Sequence, residues 1–192
     1  MLYLGRVAFE KNIEFLLRMT DELRRRQPDV LLLIAGEGPA ESSLQQMSVE
    51  LGLQENVRFI GYLDRETELN ACYRAADLFV FASLSETQGL VLLEAMAQEV
   101  PVVAIAELGT RSILVEGEGA AVVPCDASLF ADRAYKLLND PDLRRRLGEA
   151  GRRYVGMQWT AKAQAERMLG FYRQVLTRRD VAAAVTGSVA TG

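Results

Sequence analysis

The chain has 192 residues, 49% of them hydrophobic, and carries 22 basic against 26 acidic side chains for a net charge of -4. That length suits one domain with a sizeable core, or one domain and a terminal appendage, and the acidic balance argues against a general nucleic-acid binder. Histidine is absent, which excludes Ser/His or Cys/His nucleophilic chemistry and a histidine-ligated metal within this chain.

In chain order, Leu2-Tyr3-Leu4-Gly5 reads as a short strand, and a strand at the initiator methionine is expected of a truncated beginning. Asn12 reads as the N-cap of a helix with Ile13, Phe15, Leu16, Met19 and Leu23 on one face. Arg24-Arg25-Arg26 then forms a solvated last turn that suits the helix dipole. Val30 to Ala35 is a continuous apolar run and so a buried parallel strand. Gly36-Glu37-Gly38-Pro39 turns the chain into a helix reaching about Leu51, and it lacks the third glycine of a dinucleotide fingerprint. Val57 to Ile60 is the next strand, Gly61 to Thr67 a loop, Leu69 to Ala76 a helix and Leu78 to Ala82 a buried strand. Beyond a central helix come strands at Val102 to Ala106 and Ala121 to Val123.

From Leu129 onward the pattern is helical: Leu129 to Leu138, Asp142 to about Tyr154 and Ala161 to Leu176. Asp140-Pro141-Asp142 spells a metal-type Asp-x-Asp, but an aspartate before a proline at the first helical position is a cap followed by N1. Arg144-Arg145-Arg146 and Arg152-Arg153 fit exposed helix faces first and acidic lipid headgroups second. Alternating strands and helices predict an α/β fold: a Rossmann-like doubly wound parallel sheet with helices on both faces, plus C-terminal helices. The expected organisation is one domain over 1–176 and a small, unpatterned, disordered tail over 177–192.

Cys72 and Cys125 lie on unrelated elements, show no disulfide or metal spacing, and are expected to be buried small apolar residues. No apolar run approaches the about 20 residues of a spanning helix and the start lacks a signal peptide, so a cytoplasmic address is expected.

The stretch from Ser83 to Ala97 organises the rest. A strand runs through a glycine-bearing polar loop into a helix, and the first-turn amides around Gly89, Leu90 and Val91 with the helix dipole form an anion-binding geometry. Side chains on a helix lean toward its N-terminus, so Glu94 aims at the same pocket that Glu86 reaches from the loop. Taken bare, such a glutamate pair fits an exposed surface first and a ligand pocket second. In an open parallel sheet the strand ends bearing Arg6, Gly36, Gly61 and Glu86 converge on one crevice.

Ser85-Glu86-Thr87-Gln88-Gly89-Leu90 and Glu94 resemble the Glu-x7-Glu signature of the retaining, family-4 glycosyltransferases of the GT-B fold (glycosyl transferases group 1). Gly5-Arg6-Val7-Ala8-Phe9-Glu10-Lys11-Asn12 is similar to that family's Gly-Arg-x4-Lys loop, Ala35-Gly36-Glu37-Gly38-Pro39 to its Gly-x-Gly-Pro turn, and Val57 to Tyr62 to the strand before its base-binding loop. Pro101-Val102-Val103-Ala104 continues the order, and the likeness runs from about Tyr3 to Leu176. This sequence departs from the family at Gln88 for an aromatic residue, Glu99 for a glycine, and Gly109-Thr110-Arg111 for a Gly-Gly turn.

The resemblance implies one half of a GT-B fold, the domain that binds the nucleotide-sugar donor. It implies that Arg6 and Lys11 hold the diphosphate in place of a metal, Glu86 contacts the sugar near the reaction centre, and Glu94 accepts from ribose hydroxyls. Gly36, Gly61 and Tyr62 would border the nucleotide, and Thr87, Gln88, Gly89 and Leu90 the phosphates and sugar. The implied reaction moves a hexosyl unit from a nucleotide diphosphate sugar, UDP-sugar favoured, to a glycan, lipid or small-molecule acceptor, without metal or other cofactor. The implied partners are the donor, an N-terminal acceptor-binding domain, and a membrane surface or lipid-linked acceptor at the inner membrane face, with no nucleic acid. A non-catalytic module that binds nucleotides or sugar phosphates, or docks to another protein, is the alternative.

Overall fold

The computed structural model describes residues 1–188. Its residues fall into two compact units, Met1–Tyr154 and the remainder from Val155 on. The boundary lies inside the helix Pro141–Gln158, which continues beyond the end at about Tyr154 that the sequence pattern predicts.

The first unit is built on six parallel strands: β1 (Leu2–Leu4), β2 (Leu32–Ala35), β3 (Val57–Gly61), β4 (Phe79–Phe81), β5 (Val102–Ala104) and β6 (Ala120–Val122). Their spatial order is β3-β2-β1-β4-β5-β6, the Rossmann order that reverses direction between β1 and β4. This is the doubly wound sheet expected. Its central strands are apolar at nearly every position because helices cover both faces; Leu2, Phe79, Val80, Val102 and Val103 are fully buried. β3 is an edge strand, and Arg58 and Ile60 are accordingly exposed. Tyr3 and Phe79 each stack on Phe81 at 6.4 Å between ring centroids. The observed strands are shorter than the apolar runs: Leu78 before the first β4–β5 ladder pair, and Ala82 and Ile105 after the last, are buried outside the strands.

The helices are α1 (Ile13–Arg24), α2 (Glu41–Glu50), α3 (Leu69–Ala75), α4 (Leu90–Ala97), α5 (Ala127–Asn139), α6 (Pro141–Gln158) and α7 (Ala161–Ser188). α1 buries Ile13, Leu16, Leu17, Met19 and Leu23, and Phe15 meets Phe130 of α5 edge-on at 5.6 Å. Arg24 belongs less to solvent than its place in a basic run suggests: it donates to the Leu51 carbonyl at 2.8 Å and to that of Gly52, closing the end of α2. Asp126 caps α5 by accepting from the Leu129 amide at 3.0 Å, and Asp140 caps α6 by accepting from the Leu143 amide at 2.9 Å with Pro141 at N1. The Asp140 carboxylate is thus engaged in a cap. Arg144 reaches the Leu138 carbonyl and Asp77, and Arg152 reaches Glu99 at 2.9 Å.

Cys72 is half-buried and Cys125 exposed, against the expectation that both are buried. Cys125 sits in the turn between β6 and the α5 cap, where chain direction rather than apolarity sets exposure. α7 continues past Leu176 to Ser188, into the stretch expected to be an unpatterned tail; its alanines favour helix. Residues 189–192 of that expected tail lie outside the described residues. In the second unit, Arg167 lies over the Trp159 ring at 5.7 Å. Among the described residues no helix is long and apolar enough to cross a membrane.

Glu99, the residue standing where the resemblance expects glycine, has a φ of 61°, a left-handed conformation that costs an L side chain about 1–2 kcal/mol. Its exposed pair with Arg152 returns only part of that. Replacing Glu99 by glycine is therefore expected to stabilise the chain by about 0.5–1 kcal/mol, seen as a rise of about 2 °C in Tm. A fall in Tm would mean that the Arg152 pair outweighs the backbone strain.

Candidate active site

The loops that follow β1, β2, β3 and β4 meet above the carboxyl ends of the strands, at the point where the sheet order reverses. They enclose a cleft of about 680 Å³ bordered by Gly5, Arg6, Gly36, Glu37, Tyr62, Arg65, Glu86, Gln88, Gly89, Leu90 and Glu94, a size typical of small-molecule sites. Of the residues singled out in the sequence, Arg6, Gly36, Tyr62, Glu86, Gln88, Gly89, Leu90 and Glu94 line it directly. Lys11, Gly61 and Thr87 stand one contact behind. Gly61 accepts the Gly36 amide at 2.7 Å. At Gly36 the backbone has a φ of 124° and a Cβ would run into the Gly5 carbonyl, so the β1 and β2 loops touch only because no side chain intervenes.

The loop before α4 is shaped around Glu86. One carboxylate oxygen accepts from the Thr87, Gln88 and Gly89 amides at 3.2, 3.4 and 3.3 Å, and the other from the Lys11 ammonium at 2.8 Å. Burial alone pushes the Glu86 carboxyl up, but Lys11 and the Gly89 and Gln88 amides outweigh it and hold the group below the ordinary carboxylate range. Gly89 permits this turn with a φ of 60°. The expectation of loop amides open to a ligand is therefore corrected at Gly89, whose N–H serves Glu86. The Leu90 and Val91 amides, first-turn donors of α4, have no acceptor among the described residues. The β5 loop buttresses this turn: the Gly109 amide donates to the Glu86 carbonyl at 3.1 Å, and a Cβ at Gly109 would strike the Thr87 carbonyl.

Lys11 lies in a 3-10 turn, Phe9–Lys11, that ends on Asn12 with a φ of 54°. Asn12 stands at the N-cap position of α1, as expected, but caps no amide; its side chain donates to the Ala82 carbonyl at the end of β4, 3.1 Å away. A left-handed backbone, which asparagine tolerates better than most residues, turns the amide group toward β4. Arg6 is the freer cation, well exposed and 3.7 Å from Glu10. Its carbonyl is fixed from below by the buried Tyr3 hydroxyl at 3.0 Å.

Glu94 projects from the first turns of α4 into the cleft, held by two groups that sequence inspection passes over. The Arg65 guanidinium pairs with one oxygen and the Tyr73 hydroxyl donates to the other at 3.0 Å. Asp64 shapes the Arg65 loop by accepting from the Thr67 hydroxyl at 2.7 Å and from the Thr67 and Glu66 amides. Arg65 reads locally as a loop charge and Tyr73 as one of α3's core residues; only tertiary pairing reveals either. Among the described residues no group of three or more His, Cys, Asp or Glu side chains could hold a metal ion.

The family model for glycosyl transferases group 1 matches residues 1–154. The chain belongs to this family. Among group 1 relatives, the alpha-D-kanosaminyltransferase of Streptomyces kanamyceticus is 32% identical over 91% of this chain and 45% of its own length. The D-inositol 3-phosphate glycosyltransferase of Frankia alni is 36% identical over 95% of this chain and 47% of its own. The solved sucrose-phosphate synthase of Thermosynechococcus elongatus superposes with a TM-score of 0.79 at 34% identity, covering 92% of this chain and 45% of that one. This group 1 chain thus spans about half the length of the relatives it matches. Two of its departures from the family pattern now have a structural setting: Glu99 keeps the left-handed backbone that a glycine would adopt freely, and Gly109 keeps a glycine where a Cβ would strike the Thr87 carbonyl of the Glu86 loop.

Proposed function

We propose that this chain is the donor-binding half of a retaining, metal-independent glycosyltransferase that moves a hexosyl unit from a nucleoside diphosphate sugar to a glycan, lipid or small-molecule acceptor. The observation that carries the reading is the Lys11–Glu86 pair, which ties the β1 and β4 loops across the sheet's reversal point and fixes Glu86 at the wall of the cleft that Glu94 also lines. In this reading the diphosphate lies between Arg6, Lys11 and the Leu90 and Val91 amides, and the ribose hydroxyls reach Glu94. Arg6 serves as a planar fork and Lys11 as a point charge. The resemblance to group 1 enzymes makes a uridine nucleotide the first candidate.

As the anomeric C–O bond breaks, its electron pair moves to the departing diphosphate, and the sugar becomes oxocarbenium-like. The acceptor hydroxyl bonds to the anomeric carbon from the same face while its proton passes to the phosphate oxygen. The dominant contribution is stabilisation of that departing charge by preplaced donors. Glu86 orients the sugar rather than attacking it, because three amides and an ammonium already engage both its oxygens. Acceptor recognition falls to a further domain, which the greater length of the relatives leaves room for, and the isolated chain binds donor but transfers little. We place the reaction in the cytoplasm, at the inner membrane face where the acceptor is lipid-linked.

Calorimetric titration with UDP, GDP and ADP, in magnesium and then in chelator, tests this. Selective binding of one nucleotide, with Kd unchanged by chelator, is the expected result. Binding that vanishes in chelator removes the metal-independent reading, and absence of binding to all three removes the donor site.

A further inference from the structure

We propose that Tyr73 is a positioning residue that fixes the Glu94 carboxylate for reading a ribose, so that the chain's preference for ribo- over deoxyribonucleotides depends on a buried phenol outside the cleft lining. The inference rests on the reading of Glu94 as the ribose acceptor.

Glutamate has several rotatable bonds, and a carboxylate meant to accept from two adjacent hydroxyls must be held in one orientation before the ligand arrives. Glu94 has two restraints of different character. Arg65 reaches it from a loop with a side chain 71% exposed, so that contact can be given up when a ligand enters. Tyr73 cannot move away. Its ring is 1% exposed and packs on Phe79 at 5.7 Å, and its hydroxyl donates to Glu94 at 3.0 Å with the Val91 carbonyl at 3.3 Å as the neighbouring acceptor.

Both acceptors belong to α4, so the phenol registers the Glu94 side chain to the backbone of the helix that presents it. Burial first, then the charge and hydrogen bond of Glu94, push the Tyr73 phenol far above its ordinary range, which keeps it protonated and donating. An ionised carboxylate offers about four acceptor positions. With Tyr73 occupying one and Arg65 displaced from another, enough remain for a pair of vicinal hydroxyls.

The test measures Kd for UDP, GDP and ADP beside their 2′-deoxy counterparts, on the chain and on Tyr73→Phe, Glu94→Gln and the double variant. Tyr73→Phe keeps the ring against Phe79, and its thermal midpoint checks that the fold survives. The expected result is a loss of about 5- to 10-fold for the bound ribonucleotide in Tyr73→Phe, less than about 2-fold for its deoxy form, and little further loss when the substitution is added to Glu94→Gln. An unchanged ribo/deoxy ratio in Tyr73→Phe, with the ratio collapsed in Glu94→Gln, overturns the role of Tyr73 and leaves the donor-site reading standing. A ratio that survives Glu94→Gln overturns the reading of Glu94 itself.

Discussion

Removing the Lys11 ammonium, as in Lys11→Ala, is expected to weaken binding of the nucleoside diphosphate by about 10- to 100-fold, the range for losing a hydrogen-bonded charge at a desolvated anion site. In an assay with the complete enzyme, kcat should fall by about 10²–10³, as for loss of one preplaced donor to a departing anion. The same substitution changes Glu86. Lys11 and the loop amides now hold that carboxyl below its ordinary range against the opposing effect of burial; without the ammonium, burial acts against the amides alone and the group titrates higher. A carboxyl whose folded pKa is depressed contributes stability that is present above its unfolded pKa and lost as pH falls through the folded one. Acid unfolding of Lys11→Ala should therefore begin at higher pH than in the parent chain, measured by melting temperature across the acid range. Unchanged affinity together with an unchanged acid limb would show that the Lys11–Glu86 contact is incidental.

Gly36→Ala should be the most damaging single methyl group in the site. The position combines a φ of 124° with a carbonyl, that of Gly5, where the new Cβ would sit. Neither group is the end of a flexible side chain, so the β1 and β2 loops must part. Backbone strain and overpacking together are expected to cost about 3 kcal/mol, lowering Tm by about 6–12 °C and abolishing nucleotide binding. Gly117→Ala separates the two causes: its φ is 84° but nothing lies within 4 Å of a Cβ there, so it should show only the backbone part, about 1–2 kcal/mol. Equal losses at the two glycines would mean that the loops give way without cost.

The parts of this molecule legible in the sequence are those written in local patterns. Continuous apolar runs marked strands buried on both faces, and Asp140-Pro141 marked a helix start that the structure shows capped. The Glu86 and Glu94 spacing located the cleft because one strand-loop-helix unit carries both. What local reading cannot supply is pairing across the chain. Lys11 and Glu86 are 75 residues apart; Lys11 reads as a free cation and Glu86 as a free anion until the sheet brings them together. Asn12 carried the cap signal, yet its amide was spent on Ala82, and Arg24 in a basic run became the closure of α2. Tyr73 gave no signal, because a tyrosine at apolar helical spacing looks the same whether or not its hydroxyl meets a carboxylate. Cys125 failed the expectation of burial for the converse reason: residue type favours the interior, but the turn it occupies does not.

The β1–β4 junction also bears on how the chain reaches its native state. Leu2 pairs with Phe79, so the two strands flanking the cleft close a long loop whose entropy must be offset before either gains from the pairing. A nascent or partly folded chain holding only β1 to β3 has neither Glu86 nor α4, and no place for a nucleotide. On the proposed donor-site reading, a nucleotide that binds only once β1 and β4 are paired shifts the folding equilibrium toward the native chain by mass action.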